Sequence, residues 1–406
     1  MSWLKLSLFS MFFSVNVSAV ELNVLTQFNY VLADDRASWF ERDTGILAYS
    51  DNGFHQQQSL AVISDSFSSG LSYEAVGHYY QQGEQHVGFS QAFVSYKPLS
   101  GDHLRWRGRV GVFYPKVSLE NVDLGWLSPY TYTQSAINSW FGEELRTTGA
   151  ELTLFSAGRS RNSAFSFELN TAAFKANDSM GAVLTWRGFA LHDRQSLNHE
   201  QIPVAPYPTV IDADGLNHPG YVEPFHEFDV KFGYYVGAHV DYFKQSSLRY
   251  YYYDNQADPN AVNPQRLYGW RSYFHSLALQ HKFNANTRIV GQWLAGHTVM
   301  GEHFVAADFD AWFVLLSHGQ DAHRFSLRYD HFSVTEDDVF PWDWNDSHGA
   351  AWTAAWRYDL NDNWQVGAEL HWNKNYAHSR QSLNQDRQIS QQQSMVVLQY
   401  RFAAQP

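Results

Sequence analysis

The sequence predicts an all-β protein, a transmembrane antiparallel β-barrel of 16 strands, or of 18. Three observations predict it. Aromatic residues form 17% of the 406 residues and charged residues also only 17%, whereas ordinary globular domains are about 25% charged. Apolar and polar residues alternate with a period of two over repeated segments, as in the strands of a membrane barrel. After the first 19 residues no apolar run is long enough for a membrane helix.

The N-terminal segment 1–19 is expected to be a secretory signal peptide. Lys5 gives it a positive start, residues 6–15 are apolar, and Val17-Ser18-Ala19 forms a small-residue cleavage site. We therefore expect the mature chain to begin at Val20. The barrel is expected over 20–402, followed by a short tail at 403–406.

Composition also excludes several classes of function. The chain has no cysteine, so a disulfide framework and thiolate sites are excluded. Its formal net charge is −13, which argues against nucleic acid as a partner. We expect no cofactor and no bound metal.

The alternation is clearest in two consecutive segments, 350–360 and 364–372. In both, the even-numbered positions carry apolar residues such as Trp352 and Trp372, and the opposite positions are mixed or polar. The turn Asn361-Asp362-Asn363 joins the segments into a hairpin. A soluble β-sandwich also alternates, but the chain shows no linker between domains, and a closed barrel lets lipid cover the aromatic face without leaving an unpaired sheet edge.

Seventeen segments satisfy this pattern, yet bacterial single-chain barrels have even strand counts. The parity of long and short connections places the error between residues 113 and 228. The long connections are expected to be extracellular loops and the short ones periplasmic turns. The candidate crossings are 20–31, 57–67, 70–81, 87–97, 103–113, 147–156, 163–174, 180–191, 228–242, 246–253, 271–283, 286–297, 308–317, 322–333, 349–360, 363–374 and 391–402.

Two connections, 114–146 and 192–227, are too long to be simple loops at the rim of a barrel. We expect the first of them, which follows the fifth strand, to fold into the lumen and narrow it. An ordinary surface loop is the alternative.

A ladder of arginines precedes that loop. Arg105, Arg107 and Arg109 alternate with apolar residues, so all three are expected to point into the lumen, spaced about 6–7 Å apart. The register is fixed because an arginine facing lipid costs roughly 2–4 kcal/mol. Such a wall favours anions, unless the arginines pair with carboxylates on neighbouring strands.

Further basic side chains are expected to line the pore by the same alternation. The full set of predicted pore-lining or anion-binding residues is Arg105, Arg107, Arg109, Lys116, Arg187, Arg324 and Arg328. The acidic excess then belongs to the loops. Carboxylates of the segment 336–346 either keep that loop solvated or bind divalent cations.

Enzyme motifs are weak in this chain. Asp212-Ala213-Asp214-Gly215 resembles part of a calcium loop but lacks the later acidic ligands. Asp330, His331 and Ser333 suggest a hydrolase dyad, but His331 is predicted on the outer face and no third residue orients it. We therefore expect no enzymatic activity.

The stretch Gly108-Arg109-Val110-Gly111-Val112-Phe113-Tyr114-Pro115, followed by Ser118-Leu119-Glu120-Asn121, resembles the outer-membrane porins of the phosphate-selective O and P type. The resemblance implies a homotrimer of 16-stranded barrels that passes anions, with Arg105, Arg107, Arg109 and Lys116 at the constriction. We infer from it a porin-like channel and not phosphate selectivity.

The leading hypothesis is a passive diffusion channel for small polar or anionic solutes in the outer membrane of a Gram-negative bacterium. The alternative is a barrel that acts as a surface receptor through its extracellular loops, such as the aromatic loop around Trp342 and Trp344. The width of the lumen discriminates between the two, since an unobstructed path favours the channel and a plug favours the receptor.

Overall fold

The computed structural model describes residues 20–99, 101–340 and 342–404. Sixteen antiparallel strands form a closed barrel in which each strand pairs with its sequence neighbours and the last strand pairs with the first. The strands are β1 Glu21–Ala33, β2 Gly53–Ser66, β3 Leu71–Tyr80, β4 Val87–Tyr96, β5 Arg105–Phe113, β6 Thr147–Ser156, β7 Phe165–Lys175, β8 Gly233–Tyr242, β9 Ser246–Asp254, β10 Arg271–Lys282, β11 Thr287–Met300, β12 Val305–Gln320, β13 His323–Glu336, β14 Ser347–Asp359, β15 Trp364–Ala377 and β16 Gln388–Ala404.

The predicted fold class is confirmed, and 16 is the correct strand count. The predicted crossing at 180–191 is wrong, because this segment contains a short helix, Ala182–Arg187, and lies in the connection between β7 and β8. Both faces of the segment are apolar because it is surrounded by protein and not by a lipid boundary.

The predicted alternation sets the two faces of the sheet. In the β14–β15 hairpin, Trp352 pairs with Trp372, and both side chains are exposed on the outer face. Their neighbours Thr353, His371 and Asn373 are buried on the lumen face. None of the helices in the described ranges is long and apolar enough to cross a membrane.

The connections at the two ends of the barrel differ in length. At one end, here called the turn end, they are 67–70, 97–104, 157–164, 243–245, 283–286, 321–322 and 360–363. At the other, the loop end, they are 34–52, 81–86, 114–146, 176–232, 255–270, 301–304, 337–346 and 378–387. This division agrees with the predicted sides of the long and short connections, and it places Val20 and the end of β16 at the turn end.

The last strand is longer than the sequence pattern suggested. Ala403 and Ala404, expected in a tail, continue β16 and pair with Asn23 and Leu22 of β1. The expected signal peptide, 1–19, lies outside the described residues, as do residues 405–406.

The longer connections carry the remaining regular structure. The α-helices are α1 Ala136–Glu144, α2 Ala182–Arg187 and α3 Pro208–Ile211, and the 3-10 helices are Trp39–Glu41, Leu124–Trp126, Gly158–Arg161 and His378–Leu383. A two-stranded ribbon pairs Ile202–Pro203 with Tyr221–Val222.

Gly111, in the segment that carries the family resemblance, is required by backbone geometry. Its φ is 137°, and a Cβ at this position would lie 2.3 Å from the carbonyl oxygen of Ala92 on β4. Only glycine allows β4 and β5 to approach each other this closely.

Candidate functional site

Three connections from the loop end enter the lumen. They are inserted segment I (34–52), inserted segment II (114–146) and inserted segment III (176–232). Their apolar residues form one continuous buried core with the lumen faces of the strands, including Trp39 of segment I, Trp140 of segment II and Trp186 of segment III. The predicted entry of 114–146 into the lumen is therefore found, and segments I and III accompany it.

Arg328 on β13 holds segment II against the barrel wall. Its guanidinium donates to Glu120 at 2.8 Å and to the backbone carbonyls of Thr133 and Gln134. It also lies 2.7 Å from Asp330, which accepts from the backbone N–H of Ala136. This predicted pore-lining residue is fully buried and its donors are used by the protein, so it stabilises the inserted segment.

Other strands bind the backbone of the same segment. Glu369 on β15 accepts from the N–H groups of Tyr132 and Thr133 at 2.6 and 3.0 Å. Arg357 on β14 donates to the carbonyls of Ser128 and Thr131. Backbone groups that a loop would otherwise leave unpaired in the lumen thus find partners on the wall.

Helix α1 lies inside the lumen beside β12 and β13. Ser135 caps its N-terminus by accepting from the N–H of Asn138, and every residue of the helix is buried. Trp140 is fully buried and contacts Phe189 of segment III, Phe274 on β10 and Phe309 on β12 edge to face. The helix is therefore packed between the wall and segment III.

Segments II and III are joined by two consecutive carboxylates at the end of α1. Glu144 accepts from the N–H groups of Gly181, Val183 and Leu184 at the start of α2. Burial raises the pKa of Glu144 to about 7. Arg187 binds Glu143 through both of its terminal nitrogens. Burial alone would raise the pKa of Glu143, but Arg187 and His192 lower it to about 2.

Arg187 is therefore not a strand residue, as the sequence suggested, but the last residue of α2. It lies within the plug, where its guanidinium also stacks on Trp39 of segment I at 5.0 Å. This contact links segment I to segment III.

Asp193 connects segment III to the wall at β2. Its carboxylate accepts from the side-chain amides of Gln57 and Gln58, the latter at 3.0 Å. Burial raises the pKa of Asp193 to about 7. The docked segment therefore holds a carboxyl group that is partly protonated near neutral pH.

The predicted arginine ladder faces the lumen, and two of its members meet carboxylates. Arg109 lies 2.8 Å from Glu151 on β6, and Arg107 lies 3.8 Å from Glu168 on β7. Arg105, nearer the turn end, stacks over Phe155 at 4.9 Å. The alternative of pairing with a carboxylate on a neighbouring strand is found for Arg109, whereas the carboxylate that Arg107 meets lies one strand further along the wall.

Lys116 and Arg249 extend the ladder into a basic group with Arg107. Lys116 lies 3.5 Å from Glu168, the same carboxylate that Arg107 approaches. Arg249 on β9 donates to the carbonyls of Lys116 and Ser118. Burial and then the charge of Arg107 lower the pKa of Lys116 to about 8. Lys116 and Arg249 line a cavity of about 570 Å³ between segment II and the wall.

A second cavity, of about 530 Å³, opens at the turn end between β13, β14 and the turn 360–363. Arg324, Arg357 and Arg401 line it together with Asp123 and Asp359. Arg401 lies 2.6 Å from Asp123 of segment II. Asp123 of segment II lines both cavities.

The sequence did not point to the residues that hold the plug. Glu120, Glu143, Glu144 and Asp193 lie in connections, where a carboxylate is normally exposed. The sequence feature that could have indicated them is Arg328. Arg328 and Asp330 lie on the inward face of the same strand, and buried charges of this kind need polar partners inside the lumen.

The hydrolase dyad suggested by residues 330–333 is not formed. Asp330 is buried in the lumen beside Arg328, whereas His331 lies on the other face and stacks on Trp312 at 5.7 Å. Ser333 binds Asp310. These residues do not meet in the arrangement that the hydrolase dyad requires.

The acidic residues of 336–346 mainly stabilise the loop backbone. Asp346 accepts from the N–H of Glu336, and Glu336 accepts from the N–H of Asn345. Asp338 accepts from the N–H of Ala306. Among the described residues, His297, Asp308 and Asp337 form a group with ligand atoms within 4.8 Å of one another, as do Asp178, Glu227 and Asp229.

In the second group all three carboxylates are already occupied by backbone donors. Asp178 accepts from Phe228, Glu227 from Ala176 and Asp229 from Lys231. We assign a structural role to these contacts. Asp212, of the stretch that resembles a calcium loop, follows α3 as its C-cap.

Fold and lumen together define a porin-like β-barrel with inserted loops. No family model matches the sequence, and no curated protein matches it. Solved structures do share the fold. OmpT of Vibrio cholerae in its trimer form is 9% identical over 95% of this chain and 99% of that chain, with a TM-score of 0.54.

Two further structures are similar. The anion-selective porin from Comamonas acidovorans is 13% identical over 95% of this chain and 99% of its own, with a TM-score of 0.50. The outer membrane channel DcaP of Acinetobacter baumannii is 9% identical over 95% of this chain and 96% of its own, with a TM-score of 0.53. At these identities the likeness shows the barrel fold, and the phosphate-selective type stays a prediction from sequence.

Proposed function

We propose that the protein is an outer-membrane channel for small polar and anionic solutes whose conductance is limited by the three inserted segments. The observation that carries the proposal is a basic group in a barrel with an apolar outer face. Lys116 and Arg249 of this group line the cavity beside segment II, and Arg107 lies close to Lys116. A lumen wall with fixed cationic side chains lowers the electrostatic barrier for anions.

The charge of this region supports a preference for anions. Arg109 is neutralised by Glu151. Arg107 and Lys116 share one carboxylate, that of Glu168. Arg249 binds backbone carbonyls, and no ion pair joins it to a carboxylate in the described part of the chain. Glu74 and Asp123 also line the cavity, but Asp123 is paired with Arg401. Three basic residues then face the two carboxylates Glu74 and Glu168, so the group keeps an excess of positive charge.

The outer face supports a location in the outer membrane. Large apolar side chains such as Leu370, which is 60% exposed, and Val110, which is 63% exposed, are suited to contact with lipid. A transmembrane barrel presents such a band between aromatic girdles. The trimer form of a solved structure with this fold supports a homotrimer for this chain as well.

Reversal potentials of the protein in planar bilayers across a potassium chloride gradient test the proposal. We expect anion selectivity that falls in the double variant Lys116→Gln/Arg249→Gln. Lys374→Gln is the matched control because Lys374 is exposed on β15, so the variant lowers the net charge without changing the lumen. Cation selectivity that the double variant leaves unchanged would refute the preference for anions.

The filled lumen favours a second candidate, a surface receptor. The plug is continuous with the core of the wall, and the loop 337–346 exposes apolar side chains, with Trp342 67% and Val339 72% exposed. Absence of any conductance in the folded protein, together with specific adsorption of a soluble ligand to its loop end, would favour the receptor over the channel.

A further inference from the structure

A group of histidine and aspartate side chains lies on the outer surface at the loop end, outside the lumen. His297 on β11 stands directly opposite Asp308 on β12, and its Nδ1 atom lies 2.8 Å from a carboxylate oxygen of Asp308. Asp337, in the loop 337–346, offers a further carboxylate oxygen. One ligand atom from each of these three residues lies within 4.8 Å of the other two, so the three side chains converge.

His303, in the turn between β11 and β12, brings a second imidazole to this group. The centre of its ring lies 6.0 Å from that of His297, and its Nδ1 atom lies 3.3 Å from the backbone carbonyl oxygen of Asp337. We call His297, His303, Asp308 and Asp337 the histidine–aspartate cluster. It combines two imidazoles with two carboxylates and therefore differs from an acidic loop that is merely solvated.

The histidine–aspartate cluster lies beyond the apolar band of the outer face. Trp293 and Trp312 form a cross-strand pair on the same two strands, four residues nearer to the turn end than the pair of His297 and Asp308. Four residues of a strand span about 13 Å, and aromatic side chains mark the membrane interfaces of a barrel. Three of the four members of the cluster are exposed, so an ion can reach them from the aqueous side.

Contacts of the loop 337–346 with the β11–β12 hairpin hold the two parts of the cluster together. The N–H of Asp337 donates to the carbonyl of Ala306 at 2.9 Å. Phe340 stacks on Phe304 with ring centres 4.6 Å apart. Because the loop is already docked on the hairpin, a ligand of the cluster has to order only side chains.

The charges of the cluster favour a cation. The carboxylates of Asp308 and Asp337 converge, and in the part of the chain that the structure describes the ion pair of Asp308 is with His297 and neither carboxylate pairs with a lysine or an arginine. Two like charges held this close repel each other. A bound divalent cation would become the largest local charge and would remove the repulsion.

We propose that the histidine–aspartate cluster is a binding site for Zn²⁺, which clamps the loop 337–346 to the β11–β12 hairpin. Imidazole nitrogens and carboxylate oxygens bind zinc at about 2.0–2.2 Å in groups of four, so small rotations of the exposed side chains complete the site. Ca²⁺ and Mg²⁺ prefer sites made of oxygen atoms alone. No short spacing in the sequence predicts the cluster, because its members come from a hairpin and from a separate loop.

Calorimetric titration of the folded protein in detergent with zinc chloride tests the proposal. We expect a saturable site with a micromolar dissociation constant, which is lost in the variant His297→Gln/Asp308→Asn and becomes several-fold weaker in His303→Gln. The control is His348→Gln, since His348 is an exposed histidine at the loop end of β14 that stacks on Tyr376. We expect the control to bind Zn²⁺ as the wild type does and calcium chloride to give no comparable site.

The outcomes of the titration separate this site from the channel function. A wild type without a saturable Zn²⁺ site overturns the proposal, and so does a site that the double variant leaves unchanged. Binding of Ca²⁺ as tight as that of Zn²⁺ would contradict a role for the two imidazoles. A wild type that binds Zn²⁺ at this site but conducts no ions overturns the channel and supports the site.

Hydrogen exchange of the wild type covers the case in which the double variant does not fold. We expect peptides from the loop 337–346 to exchange more slowly with Zn²⁺ than with a chelator. Peptides from inserted segment I, which lies at the same end and contains no histidine, should exchange equally under both conditions. Equal exchange of the loop 337–346 with and without Zn²⁺ would show that no ion clamps it.

Discussion

The guanidinium of Arg328 and the carboxylate of Glu120 lie 2.8 Å apart, and neither side chain is exposed. Arg328 belongs to a barrel strand and Glu120 to segment II, so this contact joins the wall to the plug. Burying two charges is costly, and the loss of one partner leaves the other uncompensated, at a cost of about 3–5 kcal/mol. The pair therefore fixes the position of segment II.

Replacing Arg328 is expected to release segment II. In Arg328→Met, Glu120, Asp330 and the carbonyls of Thr133 and Gln134 lose their donor, so docking of the segment weakens by about 3–5 kcal/mol. We expect larger and noisier single-channel currents in planar bilayers. Lys374→Gln is the control, since it also removes a basic residue but lies on the exposed face of β15. Currents of wild-type size in the Arg328 variant would contradict this role.

Trp140 is expected to be the main apolar contact that holds the plug. Trp140→Ala leaves a cavity among Phe189, Phe274 and Phe309, which costs about 3–5 kcal/mol. Limited proteolysis should then cleave segment III faster than in the wild type. Trp312→Ala removes a tryptophan from the outer face, where 37% of the side chain is exposed, and we expect it to leave cleavage unchanged. Equal cleavage rates in the two variants would argue against a packed plug.

The docking of segment III should weaken as pH rises. Burial raises the folded pKa of Asp193 from 3.8 to about 7. The contribution of its protonated form to the free energy of docking is therefore fully present below about pH 4 and is lost as pH rises through 7. The loss is roughly 1.4 kcal/mol per pH unit. Glu144, whose pKa is raised to about 7 by burial, acts in the same direction. Glu143, whose pKa is lowered to about 2, acts in the opposite direction, but only below about pH 4.5.

Hydrogen exchange of segment III between pH 5 and 8, corrected for the intrinsic rate, measures this dependence. We expect stronger protection at pH 5 and a smaller slope in Asp193→Asn. Protection that increases with pH, or an unchanged slope in the variant, would show that Asp193 does not control docking.

A disulfide should lock segment III to β4. A Cβ added at Gly88 would lie 2.9 Å from the Cβ of Leu197, somewhat closer than the roughly 3.5–4.5 Å of a disulfide. Because the chain has no cysteine, Gly88→Cys/Leu197→Cys introduces one unambiguous pair. We expect oxidation to reduce current fluctuations and reduction to restore them. Failure of the pair to form a disulfide would contradict this placement of segment III.

Strand number and side-chain orientation could be predicted because every second residue of a strand faces lipid and is therefore apolar. Trp352 and Trp372 on the outer face, with His371 and Asn373 on the inner face, follow directly from that alternation. The parity of the connections also placed the error between residues 113 and 228, the region in which the false crossing at 180–191 lies. That segment satisfied the pattern because Leu184 and Trp186 are buried by protein, which requires no membrane.

The plug could be predicted only in part. The length of 114–146 indicated an inserted loop, but its partners on β13, β14 and β15 depend on contacts between residues about 200 positions apart, such as Thr133 and Arg328. The observed role of Arg328 differs from the predicted one for the same reason. Alternation placed it correctly in the lumen, but local sequence does not show that Glu120 and backbone carbonyls use its donors.

Single-channel conductance of the wild type and of a variant that lacks residues 182–222 tests most directly whether the inserted segments limit permeation. Folding of both is checked first by the change in electrophoretic mobility on heating. We predict a small conductance for the wild type and a several-fold larger one for the deletion variant, because removal of segment III opens the lumen beside α1. Equal conductance of the two folded proteins would contradict the account.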